Sequence, residues 1–320
     1  MTMPRVAVTL SLFNFFPDLM AEFAALYPGT KFAPAGQLMQ GDQLADFLQG
    51  CDAAVIGVQR FTRDVLQRCP ELKIISLCSA GTDHIDPSLL NEFGIRMWWA
   101  AGINKISVSE LSVAYMVLAL RRLHEFAALL RAGAWTGPIG FGGDLRGRTI
   151  GVHGVGHIGK AVIELLQPYG VRILGCDRVD VSDFTARFDN VELVGPEEMW
   201  ERSDVVTIHL SRNQSTIGLY DSAALDRMKR GAVLVNCARG GIVDEQALAD
   251  RLGSGRIGGA AFDVFATEPA NGNPLLDLPN FFGSPHIGAT TRESWEKMLR
   301  SGMGGITRAW LPEPGIYPFD

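Results

Sequence analysis

No stretch of the 320 residues is dense in lysine or arginine, and the formal net charge is −6. Such a chain has no broad attraction for phosphate backbones or anionic lipid, which argues against nucleic-acid and membrane partners. No uninterrupted apolar run reaches the ~20 residues that a bilayer span needs. The apolar start, Met1 to Leu12, carries Pro4 and Arg5, has no small-residue cleavage site before Pro17-Asp18, and alternates like a first strand rather than a leader. Cysteines are few and odd in number: Cys51, Cys69, Cys78, Cys176 and Cys237 show no CxxC spacing, and three fall in apolar, strand-like runs. They read as reduced thiols and point to the cytoplasm. The histidines, His84, His124, His153, His157, His209 and His286, show no pairing at ligand spacing with cysteine or carboxylate, so no metal site is expected. Internal repeats and low-complexity segments are also missing.

What is present is an ordinary globular composition, 47% hydrophobic and 20% charged, on a chain longer than one compact core usually needs. Two domains are the expectation. Apolar, β-branched runs recur at Val6–Leu10, Ala53–Val58, Lys73–Cys78 and Ile95–Trp99, with helical patterns such as Pro17–Tyr27 and Gln43–Gln49 between them. Strands alternating with helices predict a parallel sheet covered on both faces. Ser107 to about Arg131 then reads as one long apolar helix, opened by Ser107-x-x-Glu110 and closed at Gly133. From Thr149 the rhythm resumes at Thr149–His153, Val171–Cys176, Asp204–Leu210, Ala232–Asn236 and Ala260–Phe265, five units of a second doubly wound sheet. A final helical segment, Thr291–Arg300, is expected to return to the first domain. The predicted architecture is therefore α/β with two doubly wound parallel-sheet domains, residues 1–100 with 288–320 and residues 101–287.

Gly154-Val155-Gly156-His157-Ile158-Gly159 follows an apolar strand and opens a helix, the context in which GxGxxG binds a dinucleotide. Glycine permits the tight turn and close backbone approach, and the helix start offers N–H groups to a pyrophosphate. Taken alone, the motif also fits a glycine turn with no ligand. Asp177 strengthens the first reading, because it ends the next strand about 20 residues on, where a carboxylate accepts from ribose hydroxyls. It would repel a 2′-phosphate, so NAD is favoured over NADP, although Arg178 beside it pulls the other way.

Three polar residues follow strand-like runs in the second half: Arg239, Glu268 and His286. A guanidinium clamps a carboxylate through paired N–H bonds and stays charged. An imidazole exchanges a proton near neutrality, and a neighbouring carboxylate orients the ring and raises its pKa. Together they suit oxidation of an alcohol beside a carboxylate. Singly, they read more readily as a surface ion pair, a helix-start charge before Pro269 and a packing histidine, because ion pairs and capping are commoner than catalysis.

At this point the chain resembles the D-isomer-specific 2-hydroxyacid dehydrogenases. The resemblance is carried by Gly154–Gly159, by Asn236-Cys237-Ala238-Arg239-Gly240-Gly241-Ile242-Val243-Asp244-Glu245, by Phe262-Asp263-Val264-Phe265 with Glu268-Pro269, and by Ser284-Pro285-His286-Ile287-Gly288-Ala289-Thr290. It implies a flavodoxin-like substrate domain with an inserted Rossmann domain, and a homodimer centred on the inserted domain. It implies hydride transfer between NAD and C2 of a small D-2-hydroxy acid or 2-keto acid of the glyoxylate or hydroxypyruvate kind. His286 would be the acid/base, Glu268 its partner and Arg239 the substrate clamp. Cofactor contacts would come from Gly154, Gly156, His157, Ile158, Gly159, Asp177, Arg178, His209, Leu210, Cys237, Ala238, Arg239, Asp263, His286 and Gly288. Asp263 would lie near the nicotinamide carboxamide.

Ser79-Ala80-Gly81-Thr82-Asp83 resembles the family loop whose amides face the substrate carboxylate, making Ala80 and Gly81 candidate contacts; an ordinary strand-end turn is the other reading. Asn104 resembles a substrate-contacting asparagine of the related formate dehydrogenases, or else marks a hinge. Ser211 and Arg212 depart from the family pattern on the cofactor side. The aromatic, proline-rich tail Trp310–Asp320 either covers the cleft or packs on the first domain, and Trp98-Trp99 read as core or cleft wall. Phosphoglycerate and phosphite dehydrogenation, and NAD(H) sensing without catalysis, are the competing readings. The lack of a long C-terminal extension counts against an allosteric phosphoglycerate enzyme.

Overall fold

The computed structural model describes residues 3–135, 137, 140–316 and 318. It divides into two compact units, residues 1–104 with 291–320 and residues 105–290. Tail residues Tyr317, Phe319 and Asp320 lie outside the described residues.

In the first unit, short apolar runs form β1 (Val6–Val8), β2 (Lys31–Phe32), β3 (Ala53–Ile56), β4 (Ile74–Leu77) and β5 (Arg96–Trp98). Helices α1 (Pro17–Leu26), α2 (Gly41–Leu48), α3 (Arg63–Gln67) and α4 (Pro87–Glu92) connect them. All strand pairs are parallel, in the order β2-β1-β3-β4-β5, the flavodoxin-like order. One face of this sheet packs Ala54, Ile56, Ile75 and Leu77 on Leu44, Leu48, Val65 and Leu66 of α2 and α3.

The chain's last helix, Arg292–Gly305, also belongs to this unit, and glycine explains how closely it lies on β4. A Cβ on Gly302 would meet Cys78 Sγ at 2.2 Å, and one on Gly305 would meet Ser76 Oγ at 2.2 Å. The closeness lets Ser76 Oγ donate to the Gly302 carbonyl at 2.7 Å. Beyond the helix, Trp310 exchanges backbone hydrogen bonds with Met97 and stacks edge-on against Trp98, so this part of the tail covers the open edge of β5.

The second unit opens with α5 (Lys105–Leu120) and α6 (Leu123–Arg131), which corrects the single helix read from the apolar pattern. Arg122 adopts φ 53°, and Gly143 N–H takes the Leu120 carbonyl that a continuing helix would have used. A left-handed arginine leaves no trace in hydrophobic spacing. Because α5 starts at Lys105, Ser107 lies inside its first turn rather than capping it.

Then follow β6 (Thr149–His153), α7 (His157–Leu166), β7 (Arg172–Cys176), α8 (Ser182–Thr185), β8 (Val191–Leu193), α9 (Pro196–Arg202), β9 (Val205–Ile208), α10 (Ser222–Arg227), β10 (Ala232–Asn236), α11 (Glu245–Gly253), β11 (Ile257–Phe262) and β12 (Phe281–Gly283). The sheet is parallel, in the order β12-β11-β10-β9-β6-β7-β8. It has seven strands where five were expected: β8 is too short and polar to show a pattern, and β12 read only as a strand-like run. Successive residues alternate between two cores. Val206, Ile208 and Leu234 face α9, α10 and α11, while Val205, Val233 and Val235 face α5 and α7. Burial on both faces is why these strands read as unbroken apolar runs.

No helix of the described residues is long and apolar enough to cross a membrane. Among those residues, no group of three or more His, Cys, Asp or Glu is arranged to hold a metal ion.

Candidate active site

The second sheet reverses direction of build between β6 and β9, and ligands of open α/β sheets bind outside the carboxyl ends of the strands at such a point. The glycine motif sits there. Gly154 has φ 96°, and a Cβ on it would lie 2.6 Å from the His209 carbonyl oxygen. A Cβ on Gly159 would lie 2.0 Å from the Gly154 carbonyl oxygen, so α7 can approach the turn only with glycine there.

Gly156 is different: it is exposed, has an ordinary φ, and a Cβ would meet nothing within 4 Å. No side chain caps the first turn of α7, which holds His157 and Ile158. Open space over an uncapped helix start fits a bound pyrophosphate.

Asp177, just past β7, accepts from Val155 N–H at 2.6 Å and Val179 N–H at 2.9 Å. It therefore ties the glycine turn to the end of β7. Each carboxylate oxygen retains acceptor capacity for a hydroxyl. Arg178 beside it is exposed.

His209 N–H donates to the His153 carbonyl at 2.7 Å, which sets His209-Leu210 against the turn. Burial pushes the His209 imidazole down to about 3, so it is neutral, with Nε2 at 3.0 Å from Thr207 Oγ1. His153, also held down by burial to about 4, places Nδ1 2.7 Å from the Tyr220 hydroxyl.

At the end of β10, Asn236 clamps the turn that carries Arg239. Its Oδ1 accepts from Ala238 N–H at 3.0 Å and its Nδ2 donates to the Arg239 carbonyl at 3.0 Å. The half-buried guanidinium donates through Nη1 to the Ala238 carbonyl at 2.8 Å. Cys237 is buried, and burial pushes its thiol up. A Cβ on Gly240 would lie 1.8 Å from the Phe265 carbonyl oxygen, so only glycine lets the Arg239 turn pack on the segment leading to Glu268.

His286 and Glu268, eighteen residues apart, meet with Nδ1 2.8 Å from Oε2. Glu268 Oε1 also accepts from Phe265 N–H at 3.0 Å. The pair is partly open, with side-chain exposures of 50% for His286 and 38% for Glu268. The hydrogen bond to Glu268 raises the His286 pKa above its ordinary value against the opposing effect of burial; the charges of Glu268 and Asp263 add to the rise and that of Arg239 subtracts. Burial pushes Glu268 up, yet the bonds from His286 and Phe265 N–H and the nearby positive charges outweigh it and hold the carboxyl low. With Nδ1 engaged, Nε2 is the nitrogen available to exchange a proton with a ligand.

Asp263 is 1% exposed, and its carboxylate is occupied by the loop that carries His286: Oδ1 accepts from Ser284 Oγ and from Ile287 N–H, and Oδ2 accepts from Gly288 N–H at 2.7 Å. Asn236, Ser284 and their supporting role were not singled out from sequence. Each is a polar residue at or just past the end of an otherwise apolar strand, a signal that could have marked them.

In the first unit, Trp99 Nε1 donates to the Ala80 carbonyl at 2.9 Å and Ser79 Oγ to the Gly81 carbonyl at 2.9 Å, so the loop after β4 has both carbonyls engaged. Asn104 closes this part of the chain with Oδ1 buried and no hydrogen bond to any described residue.

The family model for the D-isomer specific 2-hydroxyacid dehydrogenase NAD binding domain matches residues 113–288. D-3-phosphoglycerate dehydrogenase of Methanocaldococcus jannaschii is 36% identical over 255 residues, covering 79% of this chain and 48% of that protein. The chain spans about half the length of the curated relatives it matches. A solved protein of Thermus thermophilus aligns with TM-score 0.83 and 30% identity over 98% of this chain and 100% of its own. The NAD-dependent formate dehydrogenase of Staphylococcus aureus, solved in complex with NAD, aligns with TM-score 0.80 and 27% identity over 93% of each chain.

Proposed function

Since the chain belongs to the D-isomer-specific 2-hydroxyacid dehydrogenase family and carries its NAD-binding domain, we propose that it interconverts a small D-2-hydroxy acid and its 2-keto acid, with glyoxylate and hydroxypyruvate as preferred keto partners. The observation that carries the proposal is the His286–Glu268 pair at 2.8 Å, within reach of the Arg239 charge and on the same edge of the sheet as the glycine turn.

Bound NAD supplies the hydride acceptor. The amides at the start of α7 and the open space over Gly156 hold the pyrophosphate, and Asp177 accepts from the ribose and disfavours NADP. Arg239 binds the substrate carboxylate and draws electron density from the neighbouring carbon. His286 Nε2 takes the C2 hydroxyl proton in oxidation and returns it in reduction, while Glu268 holds the ring and stabilises its protonated form. A phosphorylated substrate is the second reading, favoured by the name of the Methanocaldococcus jannaschii relative.

NADH oxidation, followed at the nicotinamide absorbance, tests this against glyoxylate, hydroxypyruvate, pyruvate, bulkier 2-keto acids and 3-phosphohydroxypyruvate, and again with NADPH. Fastest turnover is expected with NADH and one of the two smallest hydroxylated or aldehydic acids. Binding of NADH with no turnover on any member overturns the proposal, and preference for the phosphorylated acid moves it to the second reading.

We also propose a homodimer. Helix α6 has no buried residue and shows Leu123, Phe126 and Leu130 to solvent, with Trp135 and Phe141 exposed further along. An apolar face of that extent is unusual on a monomer. Light scattering is expected to give twice the chain mass of 34.8 kDa, and Leu130→Glu to shift it toward the single-chain value. A single-chain mass for the unaltered protein would rule the dimer out. A cytoplasmic setting suits the five buried thiols, none of them paired.

A further inference from the structure

The buried face of helix α5 carries Val108, Val113, Met116 and Ala119 together with Ser109, Ser112 and a tyrosine. Tyr115 is 4% exposed, and its ring lies edge-on to Phe282 at 5.4 Å between centroids. Its hydroxyl is bonded to Ser284 Oγ, and Ser284 Oγ to Asp263 Oδ1. Ser284 is 7% exposed and Asp263 1%.

The direction of this chain follows from proton count. A carboxylate only accepts, so the single Ser284 proton goes to Asp263, and the Tyr115 proton must go to Ser284. Burial pushes the Tyr115 phenol up, so it remains a donor throughout the working range.

At the other end, Asp263 takes charge of three successive residues. Its backbone carbonyl accepts from His286 N–H at 2.8 Å, and its carboxylate accepts from Ile287 and Gly288 N–H, both at 2.7 Å. A Cβ on Gly288 would stand 3.0 Å from Asp263 Oδ2, so glycine admits the carboxylate. His286 itself has φ 54°, a left-handed conformation that strains a non-glycine residue and persists only where its surroundings impose it. The Asp263 bonds impose it.

We propose that Tyr115 and Ser284 are positioning residues, forming with Asp263 a buried hydrogen-bonded chain that fixes the 286–288 backbone and thereby aims the His286 imidazole at Glu268 and the substrate. This rests on the reading of His286 as the acid/base group. The hydroxyls touch no substrate; they act by keeping the Asp263 carboxylate in the one orientation that satisfies both loop amides.

Tyr115→Phe keeps the ring on Phe282 and removes only the donor, Ser284→Ala removes the central link, and Ser284→Thr keeps the hydroxyl. Tyr115→Phe is expected to lower kcat about fivefold and Ser284→Ala at least about tenfold, with KM for NADH unchanged. The double variant should be no worse than Ser284→Ala alone, because Tyr115 acts only through that serine. Ser284→Thr should recover most of the loss.

A second readout needs no turnover. His286 is faced by Glu268, Asp263 and Arg239, and its titration is followed by NMR in labelled protein, assigned with His286→Gln. Misaligned from Glu268, its pKa should fall toward the ordinary histidine value, by the same amount in Ser284→Ala and the double variant. Additive losses in the double variant, or an unmoved His286 titration in Ser284→Ala protein that melts as a folded chain, would make Tyr115 and Ser284 packing residues and overturn the proposal. If the unaltered protein turns over no 2-keto acid, the dehydrogenase reading fails by itself while the titration series still decides the chain.

Discussion

His286→Ala is expected to lower turnover about a thousandfold or more and to leave NADH affinity within about twofold. General acid/base catalysis contributes two to four orders of magnitude, and of the two carboxylates beside His286, Glu268 reaches only the Nδ1 side and Asp263 is buried on the 284–288 loop, so neither replaces the imidazole. The glycine turn and Asp177, which hold the dinucleotide in the proposal, are built on β6 and β7 and do not depend on the imidazole. Turnover and fluorescence titration with NADH, run on the same protein, separate the two effects. Equal loss of binding and turnover would make His286 structural, and undiminished turnover would remove the mechanism.

The same residue sets a pH dependence whose sign follows from its surroundings. Reduction of a keto acid needs His286 protonated, so the rate falls as pH rises through its raised pKa. In Glu268→Gln the bond and charge that raise this pKa are lost, and the alkaline limb should move to lower pH. A limb that stays in place would detach it from His286.

Arg239→Ala should cost two to three orders of magnitude in kcat/KM for the keto acid, and Arg239→Lys should restore only a minor part. A lysine carries the charge but not the planar fork, and its flexible stem would lack the bond by which Nη1 is steadied on the Ala238 carbonyl at 2.8 Å. The alanine variant has an independent signature. The Arg239 charge lowers the His286 pKa, so its removal should shift the alkaline limb upward, opposite to Glu268→Gln. Full recovery with lysine would show that Arg239 acts as a point charge and not as a carboxylate clamp.

Much of this arrangement is visible in residue order. Strands buried on both faces announce themselves as apolar runs, and the glycine motif, Arg239, Glu268 and His286 stand out because each interrupts or ends such a run. The readings fail where no pattern exists. A two-residue strand, Lys31–Phe32, has no period to detect, and the break between α5 and α6 turns on one left-handed arginine within what reads as a single helical pattern. Asn236 and Ser284 carry only the faint signal of a polar residue at a strand end, and nothing in residue order sets Tyr115 apart from the other residues of α5.

Residue order by itself marked most of the strands and helices and the glycine turn at 154–159, since periodicity and glycine spacing are local properties, whereas the need for glycine at 154 comes from the distant His209 carbonyl. Tertiary structure decided which side chains meet. The 2.8 Å approach of His286 to Glu268 depends on the parallel pairing of β11 with β12, and the Arg239 turn lies against Phe265 because β10 runs beside β11. Those neighbours are chosen by burial of both sheet faces at once, a condition on the whole unit that no window along the chain contains.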